Sequence, residues 1–326
     1  MATFETHLYR DSDMTRALVF PGQGSQAVGM GKALYDAFPV AKAVFDEVDD
    51  ALGEKLSDVI FNGPDDDLML TANTQPALMA VSLAAFAVLQ DKGFDLATSA
   101  AYVAGHSLGE YSALAAAGTF SVGDAAKLLR TRGAAMQSAV PVGEGAMAAL
   151  LGLDWATASE VAAEAATADE VCTPANDNAD GQVVISGALA AVERASVIAK
   201  ERGAKRALML PVSAPFHCAM MQPAADVMAE ALGNVTMNTP VVPVIANVTA
   251  EAASDPAVIR ELLIRQVTGT VRWRECVLQM GALGVTELVE VGAGKVLSGL
   301  VKRINKDITA SAIGTPDDVE AFLSSL

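Results

Sequence analysis

The chain has 326 residues, of which 52% are hydrophobic and only 5% aromatic, so it can bury one large core, or one core and a smaller lobe, built mostly from Ala, Val and Leu. Its 22 basic and 39 acidic residues give a formal net charge of −17, which argues against binding to nucleic acid or to a membrane surface. The three cysteines are odd in number and lack the spacing of metal ligands, so we expect neither a disulfide framework nor a zinc site. They are predicted to be buried apolar residues.

The first 13 residues are predicted to form a flexible N-terminal extension with no role in the chemistry. They are too polar for a signal peptide, and no uninterrupted apolar run in the chain approaches the length of a membrane span. We therefore expect a cytoplasmic protein.

Predicted strands and helices alternate through the first part of the chain, which indicates a parallel α/β sheet. Ser121 and Asp124 form a capping-box pattern at the start of one of these helices. The acidic run 65–67 is interpreted as a solvated loop. The elements predicted here are a strand at 16–20, helices at 27–52 and 75–89, a strand at 101–104 and a helix at 121–138.

The pattern changes after residue 140, where it predicts a strand at 146–153, a helix at 155–167, strands at 171–175 and 182–186, a helix at 189–202 and a strand at 206–210. This β-α-β-β-α-β order is that of a ferredoxin-like domain. The α/β pattern then resumes with a helix from about residue 220, a strand at 241–246, helices at 256–267 and 272–281 and a strand at 287–291. We therefore predict a large domain over 14–139 and 212–326, with a smaller domain inserted at 140–211.

The segment from Gly105 to Gly109 has the pattern Gly-x-Ser-x-Gly and lies between a predicted strand and an Ala-rich helix that Gly118 ends. In that context the pattern exposes a nucleophilic serine, with the following backbone N–H and the helix N-terminus facing a developing oxyanion. The alternative is a glycine turn with an ordinary N-cap serine. The strand and helix on either side favour Ser107 as the nucleophile of an acyl-transfer enzyme.

A serine nucleophile needs a base, and the chain has only His7, His106 and His217. His7 lies in the predicted extension, and the side chain of His106 diverges from that of its neighbour Ser107. His217 lies in a loop between a strand and a helix, where catalytic groups are often found, although a structural histidine is the alternative. No acidic residue is evidently placed to orient its imidazole, so a backbone carbonyl is the other candidate.

A glycine-rich loop, Phe20-Pro-Gly-Gln-Gly-Ser-Gln26, follows the first strand. A dinucleotide site is disfavoured because no acidic residue follows at a second strand end about twenty residues on, and Walker spacing is missing. The loop is either an ordinary turn or the source of a side-chain amide for an oxyanion hole.

Several motifs, in this order, resemble the malonyl-CoA:acyl carrier protein transacylase family from about residue 14 to the C-terminus. They are 22–26, 105–111, Arg132, 215–217, 247–249 with 266–268, and 290–295. The resemblance implies an α/β-hydrolase-like large domain with an inserted ferredoxin-like domain and an active site between them. Ala293, where the family usually has proline, and Ala179-Asp180, where Ser-Pro is commoner, depart from the family pattern in turns.

The resemblance also implies a role for each matching residue. Ser107 is expected to be the acylated nucleophile, and His217 its base, oriented by the backbone carbonyl of Gln266. The side chain of Gln26 and the backbone N–H of Leu108 are expected to form the oxyanion hole.

Two further roles concern the acyl group. Arg132 is expected to bind the malonyl carboxylate, whereas the helical pattern alone leaves a solvated charge as the alternative. Phe216 is expected to exclude α-branched acyl groups, because smaller residues here accompany methylmalonyl use in the family; an ordinary core residue is the alternative.

The implied reaction is a ping-pong transfer of malonyl from malonyl-CoA to the phosphopantetheine thiol of acyl carrier protein, through a malonyl-serine, in fatty acid synthesis. It needs no cofactor. The alternatives are a related acyltransferase of a polyketide pathway, a serine esterase, and a carrier-docking protein without activity.

Overall fold

A computed structural model describes residues 15–212 and 214–326, so the predicted extension and His7 lie outside the described residues. The strands of the described part form two sheets. They are β1 (Arg16–Phe20), β2 (Tyr102–Gly105), β3 (Gly145–Leu151), β4 (Cys172–Ala179), β5 (Gln182–Ala188), β6 (Arg206–Met209), β7 (Val244–Ile245), β8 (Ala252–Ala253), β9 (Glu287–Val291) and β10 (Thr309–Ile313).

Helices connect these strands along the chain. They are α1 (Lys32–Ala37), α2 (Pro39–Leu52), α3 (Leu56–Asn62), α4 (Asp65–Met69), α5 (Thr71–Asp91), α6 (Leu96–Ser99), α7 (Gly109–Ala116), α8 (Val122–Ser138), α9 (Trp155–Ala165), α10 (Leu189–Glu201), α11 (Gln222–Gly233), α12 (Pro256–Thr268), α13 (Trp273–Ala282), α14 (Val296–Ile304) and α15 (Pro316–Leu323), with a short 3₁₀ turn at Ala219–Met221.

The larger sheet has the strand order β10-β9-β1-β2-β7-β8, and every neighbouring pair except β7 and β8 is parallel. Alternate residues of β1 belong to two separate apolar clusters. Leu18 and Phe20 lie in one cluster, and Ala17 and Val19 lie in the other. Because successive side chains of a strand point to opposite faces, helices must cover both faces of this sheet. The predicted α/β class is confirmed.

The smaller sheet is antiparallel, with the order β4-β5-β3-β6. With α9 and α10 between its strands in the chain, it has the predicted β-α-β-β-α-β order of a ferredoxin-like unit. All four strands lie within the range 140–211. One face packs on its own helices, while Met147 and Val184 on the other face join the core of the larger sheet.

Helix α5 runs through the centre of the larger unit. By length and composition alone it could cross a membrane, but 83% of its most apolar stretch is buried inside the protein. It is therefore a core helix. The three cysteines are free and buried, as predicted.

Some predicted boundaries are wrong. The helix predicted at 27–52 begins only at Lys32, because Gly29 and Gly31 have positive φ angles, and it restarts at Pro39 after the extended residue Phe38. The acidic run 65–67 is the first turn of α4 and not a loop, since carboxylates are favourable at a helix N-terminus. The strand predicted at 241–246 is only Val244–Ile245, and α3, α6, β8, β10 and α15 were not predicted.

The small sheet is joined to the larger unit by a short pairing that we call the seam. The backbone N–H of Val271 donates to Ala175 at 2.8 Å, and the N–H of Asp177 donates to Val271 at 2.9 Å. Arg274 pairs with the buried carboxylate of Asp177 at 2.9 Å. The seam thus ties β4 of the small sheet to the loop between α12 and α13.

Candidate active site

Ser107 lies on a sharp turn between β2 and α7, as the sequence predicted. Its φ is +52°, a left-handed conformation that is strained for a residue with a side chain. A Cβ on Gly105 would lie 1.9 Å from the Gly109 carbonyl carbon, and one on Gly109 would lie 2.2 Å from the Phe20 oxygen. Both glycines are therefore required for the turn that exposes Ser107.

His217 contacts this serine directly, with 2.8 Å between its Nε2 and Ser107 Oγ. Its Nδ1 lies 2.9 Å from the carbonyl oxygen of Gln266 and 3.1 Å from that of Gly269. A carbonyl oxygen can only accept, so Nδ1 carries the hydrogen in the neutral ring. Nε2 is then free to accept the Ser107 hydroxyl proton.

The two carbonyls belong to the C-terminal end of α12. The last four carbonyls of a helix have no partner within it, and they carry the negative end of the helix dipole. Gln266 lies in that last turn, and Gly269 is the C-cap. A helix end therefore occupies the place that a carboxylate holds in a Ser-His-Asp triad.

Burial, and next the nearby charge of Arg132, lower the pKa of His217 to about 3. The imidazole is therefore neutral at pH 7 and able to accept a proton. His106 makes a different contact, with its Nε2 2.8 Å from Asn178 Oδ1. Among the described histidines, only His217 reaches the serine.

Arg132 extends from α8 to the same serine and is 1% exposed. Its Nη1 donates to Gln75 Oε1 at 2.8 Å, and its Nη2 donates to Gln266 Oε1 at 2.9 Å and to Ser107 Oγ at 3.1 Å. Gly133 allows this approach, since a Cβ there would lie 2.5 Å from the backbone oxygen of Thr71 on α5.

The guanidinium of Arg132 forms no direct ion pair in the described part of the chain, although the buried carboxylate of Glu110 acts on its charge from farther away. No carboxylate there lies within 4 Å of the guanidinium, and the buried Nε has no acceptor. Burial lowers the pKa of Arg132, but a guanidinium stays protonated in proteins. Neutral amide oxygens compensate a buried cation only in part, so the site is suited to an anionic ligand.

A cavity of about 270 Å³ opens onto these groups between the two sheets. Of the predicted site residues, Ser107, His217, Arg132, Gln26, Leu108 and Phe216 line it. Gln266 lies behind them, in contact with Arg132 and His217. The small sheet contributes Met147 and Asn176 to the wall.

The glycine-rich loop lies at one side of this cavity. The Oε1 atom of Gln26 accepts from the N–H of Gly24 at 2.7 Å, and its Nε2 lies 3.0 Å from the sulfur of Met69. The backbone N–H groups of Gln23 and Leu108, both cavity residues, donate to no acceptor among the described residues. Within the described part, two residues that line the cavity thus have an unpaired backbone donor.

Two further polar side chains were not assigned a role from the sequence. Gln75 holds Arg132, as described above. Asn247 fixes the turn, because its Oδ1 accepts from the Ser107 N–H at 2.8 Å and its Nδ2 donates to the Gly105 carbonyl at 2.7 Å. Asn247 was noted only as part of a motif, and no local pattern marks Gln75.

Residues 17–316 match a family model described as the acyl transferase domain. The chain belongs to this acyl transferase family. A relative from Escherichia coli (strain K12), the malonyl CoA-acyl carrier protein transacylase, is 48% identical over 307 residues, which cover 94% of this chain and 98% of that protein.

Solved structures of this acyl transferase family show the same fold. An acyl-carrier-protein-S-malonyltransferase from Bartonella henselae is 57% identical with a TM-score of 0.94, covering 96% of this chain and 99% of that one. A malonyl-transacylase in complex with a type II polyketide acyl-carrier protein is 43% identical with a TM-score of 0.92, covering 96% of this chain and 100% of that one.

Proposed function

We propose that the protein transfers malonyl from malonyl-CoA to the phosphopantetheine thiol of acyl carrier protein, supplying fatty acid synthesis. The observation that carries the proposal is the buried cation of Arg132, which has no carboxylate partner among the described residues and lies 3.1 Å from the nucleophilic oxygen. Malonyl ends in the carboxylate that such a cation binds in a planar, two-point contact. The names of the relatives support the same substrate and carrier.

In the first half-reaction, His217 accepts the Ser107 hydroxyl proton as Oγ attacks the thioester carbonyl. The C–S bond then breaks, and the proton passes from His217 to the departing coenzyme A thiolate. The C-terminal carbonyls of α12 stabilise the imidazolium that forms in between. A malonyl-serine ester remains, with its carboxylate on Arg132.

The second half-reaction runs the same steps in reverse with the carrier thiol as nucleophile. His217 takes the thiol proton and returns it to Ser107 Oγ as the ester bond breaks. The narrow, largely apolar cavity and the fixed acyl pose favour a tethered thiol over water. These steps use only groups of the protein and the thioester and thiol substrates, so we propose that the reaction needs no cofactor. We also propose that the protein acts in the cytoplasm, as expected from its sequence.

Intact-mass measurement after incubation with malonyl-, methylmalonyl- or acetyl-CoA tests the proposal. We expect the malonyl adduct to dominate and to disappear when a phosphopantetheine-bearing carrier protein is added, with malonyl appearing on the carrier. Release of free malonate at the same rate as transfer would instead identify an esterase.

The alternative in a polyketide pathway has one supporting observation, the similarity to a transacylase that was solved with a polyketide carrier. The chemistry would be identical, and only the carrier differs. Transfer rates to purified fatty-acid and polyketide carrier proteins, compared side by side, distinguish the two.

We further propose that the backbone N–H groups of Leu108 and Gln23 form the oxyanion hole, and that Gln26 shapes the turn that presents Gln23. Loss of one oxyanion donor costs about 10²–10³-fold in kcat. Gln26→Ala should cost less than about tenfold, because its side-chain oxygen is bonded to Gly24. Single-turnover acylation rates measure this, and a loss of about 10²-fold or more would return the role to the Gln26 side chain.

The low pKa of His217 predicts an unusual pH profile. A histidine with its ordinary pKa of 6.5 would lose its base function as the pH falls through 6.5. Because burial and Arg132 lower the pKa to about 3, the neutral base persists at lower pH. We expect kcat/KM for malonyl-CoA to stay level from pH 8 to about pH 5, and a decline centred near 6.5 would contradict this.

Phe216 is 7% exposed and lines the cavity beside His217. Its ring occupies space that the extra methyl of a branched acyl group needs. One methyl is worth about 1–3 kcal/mol, so Phe216→Ser should raise relative methylmalonyl turnover by roughly 10- to 100-fold without abolishing malonyl transfer. Competition between the two thioesters measures the ratio, and an unchanged ratio would make Phe216 an ordinary core residue.

A further inference from the structure

Glu110 is a buried carboxylate to which the proposed reaction gives no role. It lies on α7, directly after the serine turn, and is 1% exposed. Within residues 15–212 and 214–326, no basic side chain lies within 4 Å of it. Its Oε2 accepts instead from the backbone N–H of Asn247 and from Nε2 of Gln266, both at 2.9 Å. Carboxylates are rarely fully buried without a cation, so these two contacts need an explanation.

Gln266 connects Glu110 to the acyl-binding group. Its Nε2 also lies 3.1 Å from the Ser107 carbonyl and 3.3 Å from Asn247 Oδ1, so three oxygens face one end of the amide. Its Oε1 accepts from Arg132 at 2.9 Å. A flipped amide would place NH₂ against the guanidinium and oxygen against oxygen. Glu110 thus helps to determine which end of Gln266 faces Arg132.

The same carboxylate connects to the reacting pair. The backbone carbonyl of Gln266 accepts from His217. The backbone N–H of Asn247 donates to Glu110, and the side chain of Asn247 accepts from the N–H of Ser107. One oxygen of Glu110 therefore contacts the two residues, Asn247 and Gln266, that bind the nucleophile, the base and the cation.

We propose that Glu110 is a positioning residue that fixes the Gln266 side-chain amide and, through it, sets the Arg132 guanidinium for binding of a carboxylated acyl group. This inference rests on the proposed function. In this proposal, Glu110 positions Gln266 because its Oε2 accepts a hydrogen bond, and not because the carboxylate is negatively charged.

The protonation of Glu110 agrees with that assignment. Burial raises its pKa to about 7, against the lowering effects of Asn247, Gln266 and Arg132. Both protonation states therefore occur near neutral pH, and Oε2 accepts in either state when the proton sits on the other oxygen. A glutamine side chain offers the same acceptor without any charge.

The test compares Glu110→Gln, Glu110→Asp and Glu110→Leu, with Ser112→Ala as the control. Ser112 lies on the same helix and is buried, and its hydroxyl has no partner in the described part. For each variant, kcat and KM are measured with malonyl-CoA and with acetyl-CoA, using free pantetheine as the acceptor thiol, and folding is checked by circular dichroism and Tm.

We expect Glu110→Gln and Ser112→Ala to keep the parent malonyl-to-acetyl ratio of kcat/KM within about threefold. Glu110→Asp, which withdraws the oxygen by one methylene, and Glu110→Leu, which removes it, should lower that ratio by roughly 10- to 100-fold, because acetyl makes no use of Arg132. A merely structural role would lower both substrates alike, in step with Tm.

Two results overturn the inference: a Glu110→Gln variant as impaired as Glu110→Leu, or folded Asp and Leu variants with the parent ratio. Should Glu110→Leu fail to fold, the Asp and Gln variants decide. A parent enzyme that takes up no malonyl group overturns the proposed function itself, whereas an active parent with an unchanged ratio in the variants overturns only the positioning role.

Discussion

Ser107→Ala is expected to abolish the acyl-enzyme and to lower malonyl transfer by at least about 10³-fold. Ser107 Oγ is the atom that faces His217 Nε2 at 2.8 Å, and alanine removes it without changing the Cβ or the backbone strain at this position. Intact mass after incubation with malonyl-CoA should show no added malonyl group. Ser112→Ala, on the next helix, should acylate normally.

An acylated Ser107→Ala protein would show that another residue carries the acyl group. Peptide mapping of that adduct would then identify the residue. The Tm of the variant, measured in parallel, separates loss of chemistry from loss of fold.

Arg132→Ala is expected to remove the preference for malonyl. A charged pair lost from a buried site costs about 2–5 kcal/mol, which is roughly a 30- to 5000-fold fall in kcat/KM for malonyl-CoA. Acetyl has no carboxylate for Arg132 to bind, so kcat/KM for acetyl-CoA should change much less. Arg132→Lys should recover malonyl transfer only in part, because an ammonium lacks the planar fork that Gln75 and Gln266 now hold.

The measurement is kcat/KM for malonyl-CoA and acetyl-CoA in the parent and both variants. Lys127→Ala is the matched control, since Lys127 is an exposed cation on the same helix. A malonyl-to-acetyl ratio within a few-fold of the parent in Arg132→Ala would show that another residue selects the acyl group.

The parts of the fold that could be predicted from sequence are those with a strong local signal. The strands at 16–20 and 287–291 were predicted to the residue, because each is a short, mostly apolar and mostly buried segment. The helix at 27–52 was overextended because apolar spacing continues through Gly29 and Gly31, whereas their positive φ angles prevent helix formation. Periodicity reports which faces are apolar but not where the backbone turns.

The residues of the candidate site also differ in how strong a local sequence signal they carry. Ser107 lies in a contiguous motif and His217 is one of three histidines, so composition and spacing favoured them, and the family resemblance then selected them. Gln75 and Glu110 are held by contacts 57 and 156 residues away in sequence, and a buried amide or carboxylate has no local pattern. The Gln26 side chain accepts from the N–H of Gly24 in its own loop, and Gly24 has a φ of +106°; the motif alone reveals neither feature.

The seam has a mechanical consequence for the cleft. Val271, which pairs with β4, is two residues after Gly269, whose carbonyl contacts the imidazole of His217. A rigid-body displacement of the small sheet would therefore strain the segment that orients the imidazole as well as widen the cavity. Opening the cleft and aligning the base are consequently not independent motions, because both act on the segment from Gly269 to Val271.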